Sequence, residues 1–319
     1  MKRVGEYELV REIGSSETGS VWQAKRTALG GAMKLAAVKL FRTESDETAV
    51  GHETLLAEAR LSMLLNYRNV VQVFDAGVED GHGYLVMEWV DGLSLSRLLD
   101  AMQRRGSVAS PVLTAYVVGE ILRGLAYAQT ITHSGAPLGI VHRSITPDTV
   151  LVSVAGEVKL TDFGVAAVGE DEESRPRVAR KLRYRAPEQL RRGAREPAVD
   201  LYAVGAILHE LLDGRPFRGA FDEDELEGFV IEGVVPPLRN PDAVPDQLDA
   251  LRVGLLQADP ERRIGRAKEA LKKLMQWPGY RDASAELAEL CGAYMGVSAP
   301  RSGVHASAVS RRGGSDDGD

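Results

Sequence analysis

Through the first ninety residues, apolar side chains recur mostly at every second position. Tyr7-Glu8-Leu9-Val10-Arg11-Glu12-Ile13 alternates as a strand and runs into Gly14-Ser15-Ser16-Glu17-Thr18-Gly19-Ser20-Val21, followed by the strand-like Val21-Trp22-Gln23-Ala24. Further strands are expected over Ala36–Phe41, Asn69–Asp75 and Tyr84–Val90, forming a small antiparallel sheet. The one helical interruption is Thr48–Leu65, where Leu55, Leu56, Ala59 and Met63 fall at helical spacing. After Asp91-Gly92 the pattern changes to helices. They are expected over Leu93–Arg105, Pro111–Thr132, Asp200–Asp213 and Ala267–Gln276, with a further one over Ala283–Met295. Leu113, Val117, Ile121 and Leu125 line one face of the second, and Gly214 supplies a C-terminal cap for the third. One hairpin interrupts them, with Val150–Val152 and Val158–Leu160 around an Ala155-Gly156 turn. The expected class is α+β in two lobes: residues 1–90, a small antiparallel sheet with one helix, and residues 91–282, larger and mainly helical. Residues 283–296 read as an extra helix and residues 297–319, without periodicity, as a disordered tail. No internal repeat is visible.

Composition narrows the function classes. A chain of 319 residues, 44% hydrophobic, can bury one large core or two modest lobes. Its formal charge of -7 argues against non-specific nucleic-acid binding. Cys291 is the single cysteine, so no internal disulfide is possible. The first residues carry no apolar signal segment, and no uncharged apolar run approaches the roughly 18 residues of a membrane span. A soluble, cytoplasmic protein is expected.

The chemistry gathers at the ends of the hairpin, which brings His142-Arg143-Ser144 and Asp162-Phe163-Gly164 to one edge. Upstream, the strand, glycine loop, strand unit lets backbone amides approach phosphates; alone it reads sooner as an ordinary hairpin turn. It is followed by Ala36-Ala37-Val38-Lys39, and the hairpin by Ala186-Pro187-Glu188, Asp200 and Asp259-Pro260-Glu261-Arg262-Arg263. In this order, over about Tyr7 to Arg281, these motifs resemble those of the eukaryotic-like Ser/Thr protein kinases of bacteria. The resemblance implies a bilobal kinase fold that binds ATP and Mg²⁺. It implies that Lys39 pairs with the nucleotide phosphates and is positioned by Glu58, with Glu53 as the rival. It places Ile13, Gly14, Gly19, Val21, Ala37, Met87 and Leu151 around the nucleotide, with the backbone of Glu88 and Val90 bonding adenine. Asp162 becomes the metal ligand, Asp200 the anchor of the His-Arg-Ser backbone, and Glu188 the partner of Arg263.

Several positions depart from the family. Ser144 stands where the resemblance expects the catalytic-base Asp, and Thr149 where it expects a metal-binding Asn. A serine hydroxyl is neutral near pH 7 and too short to imitate an aspartate, so Ser144 is not a competent base. A threonine hydroxyl is a weak ligand for magnesium. Ser16 replaces the middle glycine, Thr146 stands where many kinases carry Lys, and Arg180-Lys181 replaces the Gly-Thr that commonly precedes Ala-Pro-Glu. The expectation is a pseudokinase that signals by protein interaction and retains weak ATP binding. The alternatives are a slow Ser/Thr kinase using water or a displaced carboxylate such as Asp148, and a scaffold that binds no nucleotide. The segment after the hairpin reads as an acidic-to-basic loop, with Ser174 as its one hydroxyl before Tyr184. Arg175, Arg177, Arg180, Lys181, Arg183, Arg185, Arg191, Arg192 and Arg195 make it a candidate surface for an acidic or phosphorylated protein partner.

Overall fold

The early alternation folds into one antiparallel sheet. The computed structural model describes residues 3–16, 19–27, 30–41, 56, 59–133, 135–163, 175–192 and 196–296. Its strands are β1 (Arg3–Val4), β2 (Tyr7–Ser16), β3 (Gly19–Thr27), β4 (Met33–Phe41), β5 (Val73–Glu79) and β6 (His82–Glu88), in the spatial order β1-β2-β3-β4-β6-β5. Period-two patterning gives this sheet two apolar faces. Tyr7, Leu9, Ala24, Ala36, Val38 and Val86 pack together on one. Phe41, Val73, Leu85 and Met87 pack on the other, where they meet Ala59 from the helical residues 59–63 (α1). Lys39 lies opposite Val21 on one side and Leu85 on the other, at the centre of the sheet. Gly19 is required sterically: a Cβ there would sit 2.0 Å from the carbonyl oxygen of Leu40.

Two of the expected strands end elsewhere. Residues 69–71 leave the sheet and dock on the second lobe, where Val71 N donates to Leu160 O and Leu160 N to Asn69 O, both at 2.8 Å. An apolar β-branched run serves equally well for such a bridge, so sequence pattern does not separate the two outcomes. Trp89 and Val90 lie beyond β6, while β7 (Gly92–Ser94) is a strand where a break and a helix start were expected. A Cβ on Gly92 would lie 1.9 Å from Val152 O, so only glycine permits this pairing.

The second lobe is built on α2 (Leu95–Arg104) and α3 (Pro111–Thr130). Ser94 and Ser110 cap them, accepting hydrogen bonds from Arg97 N at 3.4 Å and Leu113 N at 3.1 Å. Two short strands follow, β8 (Thr132–His133) and β9 (Ala136–Pro137), then the hairpin of β10 (Val150–Ser153) and β11 (Val158–Leu160), with β10 also pairing β7. The remaining helices are α4 (Arg175–Leu182), α5 (Pro187–Arg192), α6 (Ala198–Asp213), α7 (Leu226–Glu232), α8 (Asp246–Leu255), α9 (Ala267–Met275) and α10 (Ser284–Met295). Helix α6 is buried on nearly every side and stops at Gly214, whose φ of 72° is left-handed. The α4 stretch, expected to be loop, is helical because Ala179 and Leu182 pack on Leu226 and Val230 of α7. Helix α10 packs behind the hairpin: its Cys291 thiol donates to Val152 O at 3.6 Å. A Cβ on Gly156 would meet Ser284 O at 1.9 Å.

Burial within α6 creates a pH dependence. Glu210, 4% exposed, accepts from the Tyr184 hydroxyl and from Phe217 N, and its removal from water pushes its pKa up from 4.5 to about 7. A raised carboxyl pKa gives stability that is present below pH 4.5 and lost as pH rises through about 7. Its neighbour His209 runs the other way: burial and then Arg252 lower its pKa from 6.5 to about 4, so its contribution is lost as pH falls. The stability of Glu210→Gln relative to wild type is expected to climb by about 3 kcal/mol between pH 4.5 and 7. Urea midpoints measured across that window check this, and a pH-independent difference would refute it.

Candidate active site

The hairpin brings the two expected motifs together. Val150 pairs with Leu160, so the chain entering β10 and the chain leaving β11 emerge side by side. His142 Nε2 bonds Thr161 O at 2.8 Å, and the His142 and Phe163 rings lie 4.6 Å apart. Beneath them the buried Asp200 accepts from His142 N at 2.8 Å and Arg143 N at 2.7 Å. Burial raises the Asp200 pKa even though His142 and Arg143 oppose the shift. Gln189 of α5 adds a bond from Nε2 to Arg143 O at 3.0 Å. These bonds hold Arg143 at φ 69° and Asp162 lies at φ 64°, left-handed conformations that non-glycine residues rarely adopt and that cluster at functional sites.

Lys39 reaches across from the sheet to Asp162, with Nζ 3.1 Å from Oδ1. Burial works to raise the Asp162 pKa, but Lys39, with His142 and Lys181 assisting, outweighs it and holds the carboxyl below its ordinary value. Above this pair Met87 packs in one cluster with Ala37, Val90 and Leu151. The side chain of Glu88 pairs with Lys159 at 2.8 Å, tying β6 to β11, and its backbone N donates to Gln72 O at 2.8 Å. Ile13 is 38% exposed, Gly14 has open space where a Cβ would be, and Val21 is half-buried. Glu58 and Glu53 lie outside the described residues, as does Ser174.

At the departures, hydroxyl groups serve the loop itself. Thr149 Oγ1 donates to Thr146 O at 3.1 Å and accepts from Thr146 N at 3.1 Å, closing a capping box on the single turn Pro147–Thr149. Ser144 lines a cavity of about 10 Å³ together with Arg143, Thr146, Lys181, Arg185 and Asp200. The nearest carboxylate in sequence, Asp148, is exposed and paired with Arg180 of α4 at 3.8 Å. Farther out, Glu188 and Arg263 form a buried two-pronged ion pair, with Nη2 to Oε2 at 3.0 Å.

The family model for the protein kinase domain matches residues 7–276. The chain belongs to the protein kinase family. Similar proteins include the probable serine/threonine-protein kinase PknB of Lactococcus lactis, 33% identical over 67% of this chain and 32% of that protein. The tyrosine-protein kinase MasK of Myxococcus xanthus is 30% identical over 83% of this chain and 42% of that protein. Serine/threonine-protein kinase PknA of Mycobacterium tuberculosis is 33% identical over 67% of this chain and 48% of that protein. The matched region is thus 32% to 48% of these relatives' length.

The residues that could hold a purine are the apolar cluster of Ala37, Met87, Val90 and Leu151, and the cation that could meet its phosphates is Lys39, which pairs with Asp162. For magnesium the fit is thinner. Asp162 offers a carboxylate beside Lys39, while the Thr149 hydroxyl already bonds backbone on both sides. No helix among the described residues is long and apolar enough to cross a membrane, and no cluster of three metal-ligating side chains occurs among them.

Other contacts of the kinase domain had no sequence signal. Ser62 of α1 donates to Phe163 O at 2.5 Å, coupling the first lobe to the Asp-Phe step. Arg218, 1% exposed, donates to Val234 O at 2.8 Å and Arg183 O at 3.2 Å, clamping the segment that follows α4. Nothing in the local sequence around Pro216-Phe217-Arg218 marks that arginine as buried. Arg183 itself lies 4.0 Å from Glu223.

Proposed function

We propose that this domain is a pseudokinase: it binds ATP weakly, transfers phosphate poorly or not at all, and acts through protein interaction. The observation that carries the reading is Ser144 at the base position, on a backbone held by Asp200 and Gln189, with Asp148 turned to Arg180. A positioned acid-base group is worth about 10²–10⁴ in rate, and a neutral hydroxyl does not supply it. Bound magnesium-ATP would supply the phosphoryl group, with Lys39 and Asp162 as its anchors and Thr149 as a weak further ligand. The intact Lys39–Asp162 pair supports the second reading, a slow protein kinase, in which water takes the proton. The basic helix α4 and its flanks support an acidic or phosphorylated protein as partner, since Arg180 is 56% exposed and its pairing with Asp148 is long. The names of the relatives include both serine/threonine and tyrosine kinases, so no acceptor residue is assigned.

The test combines binding and transfer. Magnesium-ATP is expected to raise the melting temperature in a concentration-dependent way, since a ligand at hundredfold excess over Kd stabilises by about 2.7 kcal/mol. Lys39→Ala is expected to abolish the shift, and labelled-phosphate transfer is expected to stay near background. A wild-type protein that does not shift at millimolar magnesium-ATP, while a control kinase does, is a scaffold without nucleotide.

A further inference from the structure

Asp162 is held from both lobes through the residues on either side of it. From the second lobe, His142 Nε2 donates to Thr161 O at 2.8 Å, and Thr161 N donates to Thr149 O at 3.0 Å. From the first, Ser62 Oγ donates to Phe163 O at 2.5 Å. Between these fixed points Asp162 keeps its φ of 64°, with Oδ1 3.1 Å from Lys39 Nζ. A left-handed non-glycine residue persists only where its surroundings over-determine it, and the Ser62 bond is one of those constraints. The place of Ser62 is itself set by packing. Ala59 joins the apolar face of the first sheet, and Leu65, with no exposed surface, joins the core of the second lobe. Ser62 is 4% exposed, beside a cavity of about 10 Å³ that holds one water at most and is walled by Leu65, Val73, Leu85 and Met87 together with Asp162 and Phe163. In such apolar surroundings a hydroxyl is costly unless it is bonded, and that of Ser62 bonds the Phe163 carbonyl.

We propose that Ser62 is a positioning residue for Asp162: by holding Phe163 O it keeps the carboxylate where the phosphates of a nucleotide and their metal would meet it. This rests on the nucleotide-binding reading above and adds to it that the phosphate end of the site depends on the seat of α1. Adenosine, which has no phosphates, makes no use of Asp162. Loss of the Ser62 hydroxyl therefore separates the two ends of the site, weakening the ligand that needs the carboxylate and sparing the one that does not.

Affinities of wild type, Ser62→Val, Ser62→Ala and Ser62→Thr for magnesium-ATP and for adenosine, measured by calorimetry on the full chain, test this. Valine and threonine have the same shape and differ in the hydroxyl. Ser62→Val is expected to weaken magnesium-ATP about fivefold, the size of one neutral hydrogen bond, and to leave adenosine within about twofold. Ser62→Ala, which adds no bulk, is expected to show the same split and guards against a packing defect in the valine variant. Ser62→Thr, which keeps the hydroxyl, is expected to bind both ligands within about twofold of wild type. If the valine and alanine variants leave magnesium-ATP unchanged or weaken adenosine equally, or if threonine behaves as valine does, Ser62 does not position Asp162. The same holds if wild type binds adenosine but gains nothing from magnesium-ATP. If wild type binds neither ligand, the nucleotide-binding reading fails, and this inference fails with it.

Discussion

Replacing Ser144 by Asp is expected to raise phosphate transfer by about 10²–10⁴-fold, the range of a positioned general base. The expectation rests on how little else at that position needs to change. Asp200 holds the backbone of His142 and Arg143, and Gln189 holds the carbonyl of Arg143, so the residue that follows is presented on a fixed frame. The cavity beside it is lined by Arg143, Lys181 and Arg185, which would stabilise a carboxylate there. Adding Thr149→Asn supplies an amide carbonyl for magnesium but removes the hydroxyl that caps Pro147–Thr149, a loss of roughly 1 kcal/mol. The double variant is therefore expected to gain further rate and to melt slightly lower than Ser144→Asp alone. Lys39→Ala in each background separates true transfer from contamination. Robust wild-type transfer that disappears in Lys39→Ala would sink the pseudokinase reading. A double variant that binds ATP yet gains nothing would place the defect in α4, whose Arg180 and Lys181 stand over the loop.

What the sequence made legible here is order and spacing. The glycine loop, Lys39, the hairpin and Asp162 stand in the order of the protein kinase motifs, whereas the contact between Lys39 and Asp162 is a finding of the fold, since the sequence reading assigns Lys39 the partner Glu58. The cap at Gly214 and the helices over α3, α6, α9 and α10 were legible because each is long, periodic or closed by a residue with a distinct backbone preference. What escaped depends on contacts distant in sequence. Helix α4 is strongly polar, and among the described residues Ala179 and Leu182 are the side chains it packs on α7. Residues 69–71 carry a strand pattern but form a bridge to Leu160. The role of Thr149 could be read as a missing amide, though not as a capping box, because that depends on the turn at Pro147. Glu58 was read as the partner of Lys39, and it falls outside the described residues.

Removing the carboxylate of Glu188 is expected to destabilise the domain by about 3–5 kcal/mol, the penalty for stranding a buried charge. The Arg263 side chain is fully buried and that of Glu188 is 8% exposed, so neither can turn to water when its partner is lost. The pair is two-pronged, and Arg263 also donates to Gln257 O and Ala198 O, both at 2.9 Å, with its guanidinium 4.9 Å from the Tyr202 ring. Those neutral partners orient the guanidinium but do not balance its charge. Glu188→Gln keeps the shape and one acceptor, so it isolates the charge, while Glu188→Ala adds a cavity. Glu188→Ala is expected to be the less stable of the two. Combining Glu188→Gln with Arg263→Met removes both charges and should recover part of the loss, a coupling that a double-mutant cycle measures directly. Urea unfolding with unchanged m-values would report these differences as shifts in midpoint. Glu188 opens α5 next to the segment that carries Lys181, and the pair sits apart from the nucleotide cluster of Ala37, Met87 and Leu151. Below the unfolding transition, Glu188→Gln should therefore still bind adenosine as wild type does. A loss of stability under 1 kcal/mol in Glu188→Ala would mean that the backbone carbonyls and Tyr202 suffice to hold Arg263, and that the ion pair is not what anchors the end of the activation segment.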